Sequence, residues 1–467
     1  MKHFDQADLQ TYRLIVLRRD GSEILLVSNR FGWTLPWVQV SPRKRIILQL
    51  VSAFNRETGF QAYCLFLPSF PAADPYARPE KYAVLECVRH NGEAPKGACW
   101  LPCTASASQL TSSVDDNEAI KQSLRELDSY ANQSKPGSFG KPGWLSDLFM
   151  WVEEQLGPWG LHANGNFQQF NGSPTFSLIR LETSGPAVWF KATGEPNRHE
   201  LPITTALTRL FPENLPRVLG VHPSWNGWLS EEVTGTTLDQ CTELPVWERV
   251  ANDLAELQIA SAGKDAGLLG YGCKDLRIPN LVDLIDPFFA RMSEFMGEQR
   301  KQTPSPLTNW ELSFVADRLK QSCSLLHELH FPQTLGHMDF NPGNILMSAT
   351  RSAFLDWAEA CVTNPLVTFE YLLEHLRRSH VDAAGAIEKI TAAYLRPWRS
   401  FVSPEDLARG KIVSPLVAVF VYSVSGGAWR SREALQDPKR SGYLRSLTRR
   451  MFREATQAGE GGRQCVA

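Results

Sequence analysis

One spacing constrains this chain more than any other: His337-Met338-Asp339-Phe340-Asn341-Pro342-Gly343-Asn344, followed twelve positions after Asn344 by Asp356-Trp357. A fold that serves this spacing must bring the side-chain oxygens of Asp339, Asn344 and Asp356 to one place. The flanking sequence has the means. Leu319, Leu325, Leu326 and Leu329 recur at helical spacing and predict a helix leading into the motif. Asn341-Pro342-Gly343 breaks regular structure and predicts a loop. Ile345-Leu346-Met347 and Ala353-Phe354-Leu355, separated by the polar stretch Ser348 to Ser352, predict a hairpin. In an antiparallel pair closed near Thr350, Asn344 lies roughly opposite Asp356, and both face the end where Asp339 sits. The plainer alternative is that His337 and Asp339 only cap and brace a loop, as such residues often do.

Three convergent oxygen donors suit chemistry in which one carboxylate accepts the proton of an attacking hydroxyl. An amide and a second carboxylate then hold Mg²⁺ on phosphate oxygens. The segment resembles the aminoglycoside phosphotransferase and choline kinase family, whose catalytic loop usually reads HGDxxxxN with a later IDW; here Leu355-Asp356-Trp357 stands for IDW. The resemblance implies a bilobal, protein-kinase-like α+β fold and phosphoryl transfer. It also implies Asp339 as catalytic base, Asn344 and Asp356 as Mg²⁺ ligands, and His337 as the brace of the loop. Met338 departs from the family glycine and puts a side chain where the family has none. Glu359 reads either as a further acidic group near the metal or as a surface carboxylate. Asn364-Pro365-Leu366 continues the family pattern, in which an Asp often follows; Thr368 falls near that place and receives no role.

A nucleotide lobe is expected upstream. Phe167 to Phe170 and Thr175 to Leu181 read as strands around a turn, Asn171-Gly172-Ser173, whose backbone amides suit phosphate; an ordinary hairpin turn fits equally well. The strand Val188-Trp189-Phe190-Lys191-Ala192 places Lys191 where the family keeps the lysine for the α- and β-phosphates. Glu200, nine residues on and just before Ile203, Ala206, Leu207 and Leu210, is the ion-pair partner for Lys191, or simply a carboxylate at a helix N-terminus. Gly227 to Gly235, with Glu231 and Val233, resembles the strand and hinge that meet the adenine edge. Because backbone groups read adenine there, ATP and GTP are not distinguished.

The first 130 or so residues form a different unit. Strand-like runs at Tyr12 to Leu17 and Glu23 to Val27 flank Asp20-Gly21, and a helical stretch from Arg45 to Glu57 stops at Gly59. Further strands follow at Gln61 to Leu67, Tyr82 to Val88 and Trp100 to Pro102. This order resembles the Nudix superfamily, an α/β sandwich whose glutamates bind catalytic metals. Aligned on Arg56-Glu57-Thr58-Gly59, the box has Lys44, Ala53 and Arg56 where acids are expected, leaving Glu57 alone. One carboxylate beside two cations does not build a multi-metal oxygen site. The expectation is a degenerate Nudix-like module that senses a ligand, binds a partner or only supports structure.

The resulting organisation is a Nudix-like domain at 1–130, a Gly/Pro/Ser-rich linker at 131–143, a kinase-like N-lobe with its leading helix at 144–233, and a helical C-lobe at 234–460. A formal charge of −2 gives no electrostatic case for nucleic acid. The apolar run from Pro415 to Val424 is too short to cross a bilayer, so no membrane partner is expected. Nine scattered cysteines without a CxxC pair, and a start lacking a signal-peptide core, suit reduced thiols and a cytoplasmic location. The last residues, Gly459 to Ala467, read as a frayed tail. The sequence thus points to a kinase that uses Mg²⁺ with ATP or GTP on a small-molecule hydroxyl acceptor; it carries no sign of oligomeric state. The segment from Asp275 to Gln302 mixes acids with Arg291, Arg300 and Lys301, so a metabolite fits as acceptor at least as well as a cationic antibiotic. Two other classes stay open: a catalytically silent nucleotide-binding regulator, and a Nudix-type nucleotide hydrolase.

Overall fold

The computed structural model describes residues 9–18, 21–70, 80–89, 93–103, 110–301, 303–379 and 383–464, with side chains for all of these except 89, 383 and 458–464. The chain divides into two compact units, Met1–Leu201 with Arg217–Glu232, and Pro202–Pro216 with Val233–Ala467.

The first unit opens with a mixed sheet of β1 (Gln10–Arg18), β2 (Glu23–Asn29), β3 (Gly32–Thr34), β4 (Trp37–Val40), β5 (Gln61–Phe66), β6 (Lys81–Arg89) and β7 (Ala98–Pro102). The spatial order is β3-β2-β1-β6-β5, with β4 also on β1 and β7 on β2. Alternation along β1 decides the layers: Tyr12, Leu14 and Val16 pack with α1 (Ile46–Thr58), whereas Ile15 and Leu17 face α2 (Val114–Ala131). Helix α1 stops at Gly59, whose left-handed φ of 72° lets its N–H reach the Asn55 carbonyl. Register pairs Leu17 with Ile24 and Arg18 with Glu23, which makes the expected hairpin; Asp20 of its turn lies outside the described residues.

A second sheet follows α3 (Trp144–Leu156): β8 (Ala163–Ser173), β9 (Phe176–Thr183), β10 (Val188–Ala192), β11 (Val218–Val221) and β12 (Gly227–Glu231), in the order β11-β12-β10-β9-β8. The two sheets share one apolar cluster, in which Tyr63, Leu65 and Val84 meet Leu124 and Leu127, Trp144 and Leu148, and Ile179, Leu181 and Phe190. Residues 131–143 therefore do not behave as the expected linker. Phe139 is buried against Trp144 at 5.0 Å between ring centroids, and its N–H donates to the Pro174 carbonyl at 3.0 Å. The glycines that look like linker composition serve close packing, since a Cβ on Gly137 or Gly140 would stand 2.6 or 2.5 Å from the Tyr130 ring.

Helix α4 (Glu200–Leu210) starts in the first unit and passes into the second. The second unit continues with β13 (Thr236–Thr237), α5 (Leu244–Ser261), α6 (Asp265–Gly270), β14 (Lys274–Asp275), α7 (Ile278–Gly297) and α8 (Asn309–Glu328). After these come β15 (Thr334–His337), β16 (Ile345–Met347), β17 (Ser352–Phe354) and β18 (Ala360–Thr363). The chain finishes with α9 (Pro365–Ser379), α10 (Ala383–Trp398), α11 (Pro404–Ser425) and α12 (Pro438–Gln464). Helix α8, foreseen from its leucines, starts at a capping box of Thr308 and Glu311. The apolar run at Pro415–Val424 extends into the 22-residue α11, long and apolar enough by composition to cross a membrane; 67% of that window is buried, with Leu416, Val417, Phe420 and Val421 in the core of the unit. The expected frayed tail is helical as far as Gln464.

Candidate active site

The catalytic-loop motif sits between two small sheets of the second unit. Strand β15 pairs with β18, His337 opposite Ala360, and delivers His337 to the start of the loop. Strands β16 and β17 form the expected hairpin, with Ile345 opposite Phe354 and the Leu355 N–H donating to the Asn344 carbonyl at 2.9 Å. Asn344 and Asp356 are thereby held one register step apart. Asp356 has φ 65° and ψ 68°, a left-handed conformation that costs a non-glycine residue on the order of 1–3 kcal/mol. Such strain concentrates where a side chain must be aimed.

Asp339 is held from both sides. Its Oδ1 accepts from Asn341 Nδ2 at 2.9 Å, and its Oδ2 accepts from Asn344 Nδ2 at 3.1 Å, while its carbonyl accepts from the same Asn344 nitrogen at 2.9 Å. Asn341 also takes the Gly343 N–H on its own oxygen at 3.0 Å, so it closes the loop as well as orienting the carboxylate. Asn344 spends its amide nitrogen on Asp339, which leaves the amide oxygen for other partners. An amide oxygen is among the oxygen ligands that a hard divalent cation such as Mg²⁺ takes.

His337 is buried among these groups. Its Nε2 lies 2.9 Å from the Leu355 carbonyl, and its Nδ1 receives the Asp339 N–H at 3.2 Å. One arrangement satisfies both contacts: the neutral ring with its proton on Nε2. Burial pushes the imidazole below its ordinary pKa, against the opposing pull of the Leu355 carbonyl and of Asp356 and Asp339. His337 thus ties the residue before Asp356 to Asp339 itself. The His337 N–H in turn donates to Thr368 Oγ1 at 3.0 Å, so Thr368 anchors the motif to α9. Met338, a departure from the family glycine, is accommodated: its side chain enters the core and its N–H donates to the Glu359 carbonyl at 3.1 Å. The Glu359 carboxylate pairs with Lys274.

The upstream residues are placed as follows. Lys191 on β10 lies opposite Leu178 and Trp228, and its Nζ meets Glu200 Oε1 at 2.5 Å. Glu200 is the first residue of α4 and almost fully buried, so the ion pair is formed and the helix-end alternative is absorbed by it. Gly172 and Ser173 are not in a turn. They belong to β8, opposite Ser177 and Phe176, and the turn falls at Pro174-Thr175. Pro174, lacking an N–H and fixed in φ, sets that turn in preference to Asn171-Gly172. A Cβ at Gly172 would stand 2.6 Å from Gln169 Nε2, so this glycine makes room for Gln169. Glu231 ends β12 and pairs with Arg217 at 3.2 Å; the division between the two units falls immediately after Glu232, before Val233. Of the Nudix-box positions, Ala53 is in the core and Lys44, Arg56 and Glu57 are exposed.

Residues 225–401 match the model of the phosphotransferase enzyme family, a span holding Asp339, Asn344 and Asp356 with Lys191 and Glu200 upstream of it. No curated protein matches by sequence. Among solved structures, choline kinase from Cryptosporidium parvum shows a TM-score of 0.48 at 12% identity, covering 68% of this chain and 97% of its own. Ethanolamine kinase from Plasmodium vivax shows 0.46 at 13% identity, over 75% of this chain and 96% of its own. A macrolide 2′-phosphotransferase from Brachybacterium faecium shows 0.44 at 14% identity, over 65% and 98%. The matched family supports a phosphotransferase with an alcohol group as acceptor.

Proposed function

We propose that the protein transfers the γ-phosphate of Mg-ATP or Mg-GTP to a hydroxyl of a small molecule, a metabolite or an antibiotic, with Asp339 as catalytic base. The observation that carries this reading is the double restraint on Asp339: two different asparagines fix its two oxygens. A carboxylate so oriented can accept the proton of an acceptor hydroxyl as the oxygen attacks phosphorus, and positioning is most of what phosphoryl transfer asks of a protein. Asn344 and Asp356 would hold Mg²⁺, whose charge offsets that of the phosphate oxygens. Lys191, fixed by Glu200, would orient the α- and β-phosphates, and the backbone around Glu231 and Val233 would meet the base. The N-terminal module is read as a degenerate Nudix-like sandwich that supports the nucleotide lobe.

Calorimetric titration with Mg-nucleotide, alongside turnover, tests the assignment. Asp339→Asn should lower transfer by about 10²–10⁴-fold while leaving Mg-ATP affinity near wild type. Asp356→Asn should damage both, and Lys191→Met should weaken productive ATP use in a folded protein. Undiminished transfer in Asp339→Asn removes the base assignment, and unchanged Mg-ATP affinity in Asp356→Asn removes the metal site.

A further inference from the structure

Gln169 holds β8 to the edge of β5, but beside that contact the seam between the N-terminal module and the second sheet is not filled. Between α1 and the strands β8 and β9 lies a cavity of about 370 Å³. Packed interiors leave few voids larger than a water molecule, whose share of liquid volume is about 30 Å³, whereas small-molecule sites run from about 300 to 1,000 Å³. This cavity is of the second kind. Leu48 and Val51 of α1 and Phe167 of β8 give it an apolar side, and the Phe167 ring is held by Tyr63 and Phe149 at 6.5 and 6.1 Å between centroids. Exposed Ser52, Gln168 and Glu182 stand where it opens to water. All of the lining lies upstream of the residues that match the phosphotransferase family.

The polar part of the lining is rich in uncommitted donors. Asn55 spends its Oδ1 on the Ala62 N–H at 3.0 Å, which leaves Nδ2 without a partner among the described residues. The Ser52 hydroxyl and the Gln168 amide have none there either. Arg180 is committed on one side only: Nε and Nη2 bond Glu232 at 2.6 and 2.9 Å, while Nη1 stands 3.8 Å from Glu182, beyond a hydrogen bond. Trp189 Nε1 donates to the same Glu232 at 3.2 Å, so the guanidinium is fixed with one edge free.

Charge and shape together narrow the occupant. The lining carries one cation, Arg180, and one carboxylate, Glu182; Glu232 lies behind Arg180, outside the lining. Arg45, just before α1, and Arg56, near its end, are exposed and also outside it, with Arg45 over the Phe170 ring at 6.0 Å. An anion would be repelled by Glu182 and a cation by Arg180, so a charged ligand loses at one what it gains at the other. An uncharged ligand avoids both. Three of the donors are planar, two side-chain amides and a guanidinium edge, the groups that pair in plane with the edge of a heterocyclic base; the Phe167 ring and two aliphatic side chains suit its face.

We propose that this cavity is a second binding site, sharing no residue with the site read for Mg-nucleotide, and that it takes an uncharged nucleobase or nucleoside.

Calorimetry on the full chain tests this, with the protein first saturated with Mg-ADP and then titrated with uridine, cytidine, adenosine and guanosine, and with glucose as the uncharged comparator. At least one nucleoside should bind with a Kd on the order of 100 µM or tighter, and more tightly than glucose. Ser52→Trp sets an indole in the mouth of the cavity and should weaken that binding by at least about 30-fold. Asn55→Asp keeps the oxygen that takes the Ala62 N–H and removes only the donor, so it should weaken binding about tenfold. Both variants should bind Mg-ADP as the wild type does. The proposal is overturned if no nucleoside binds at millimolar concentration, if glucose binds as tightly as the best nucleoside, or if either folded variant binds that nucleoside with wild-type affinity. A wild type that fails to bind Mg-ADP would count against the phosphotransferase reading instead, and the same titrations without Mg-ADP would still decide the cavity.

Discussion

The His337 ring is wedged between a carbonyl that needs a donor and an N–H that needs an acceptor. Protonation at Nδ1 would set two donors against each other in a buried place. Because burial lowers the folded-state pKa below the unfolded value near 6.5, the unfolded chain binds the extra proton first as pH falls. The stabilisation is therefore complete above that value and is lost as pH drops through it toward the folded-state pKa. His222 and His375 are shifted the same way, also by burial, so a difference between two proteins is the appropriate measure. His337→Ala should lose about 1–3 kcal/mol at pH 8, where both ring contacts are intact. Thermal midpoints of wild type and variant should converge between pH 7 and 5; a constant gap across that range would show that the ring is not held neutral.

The elements that aim the catalytic loop meet at Gly336. This residue lies in β15 opposite Cys361, and a Cβ there would stand 2.6 Å from Thr363 Cγ2, 2.8 Å from Cys361 Sγ and 3.2 Å from Thr368 Oγ1. Strand β15 can thus approach both β18 and α9 only without a side chain at this point. Gly336→Ala should cost about 1–3 kcal/mol by overpacking and should lower turnover, because it displaces the strand that carries His337 and loosens the His337–Thr368 contact. Gly426, at the end of α11 with φ −78° and open space around its Cβ position, is the control. Gly426→Ala should unfold within a degree or two of wild type, and equal stability of both variants in a thermal melt would contradict the packing argument.

At the scale of the molecule, the N-terminal module and the second sheet of the first unit are one folding body. Gln169 on β8 accepts the Cys64 N–H at 2.7 Å and donates to the Cys64 carbonyl at 2.9 Å, adding the equivalent of a strand contact to the edge of β5. Buried Glu86 accepts from the Tyr63 hydroxyl and from the Gly143 N–H at 2.8 Å. Removing residues 1–143 would expose Trp144, Leu148, Ile179, Leu181 and Phe190, each worth roughly 1.5–3 kcal/mol when buried. A chain starting at residue 144 should accordingly be insoluble or strongly destabilised relative to the intact protein. Expression of 144–467 with wild-type melting behaviour and nucleotide affinity would show the module to be dispensable. A fragment of residues 1–130 alone would leave its α2 face uncovered, so the expectation that the protein lacks Nudix-type hydrolysis is best tested in the whole chain.

What the sequence determined by itself is what depends on neighbours along the chain. The helix, loop and hairpin of the catalytic segment follow from local periodicity, from Pro342-Gly343 and from two short apolar runs, and they set the spacing of Asp339, Asn344 and Asp356. Lys191 and Glu200, nine residues apart on adjoining elements, were legible for the same reason, and Asn341 could have been found as the Asx residue opening the Pro-Gly turn. The tertiary structure decided everything that depends on a residue far away. It placed Thr368 under His337, 31 residues back. It used Gln169 to grip Cys64, 105 residues away, and turned a glycine-rich stretch into close packing on Tyr130. It also moved the hairpin turn to Pro174. Composition counts residue types, but whether a glycine is flexible or crowded, and which hydroxyl fills a place where an aspartate was expected, depends on the surface that folding brings against it.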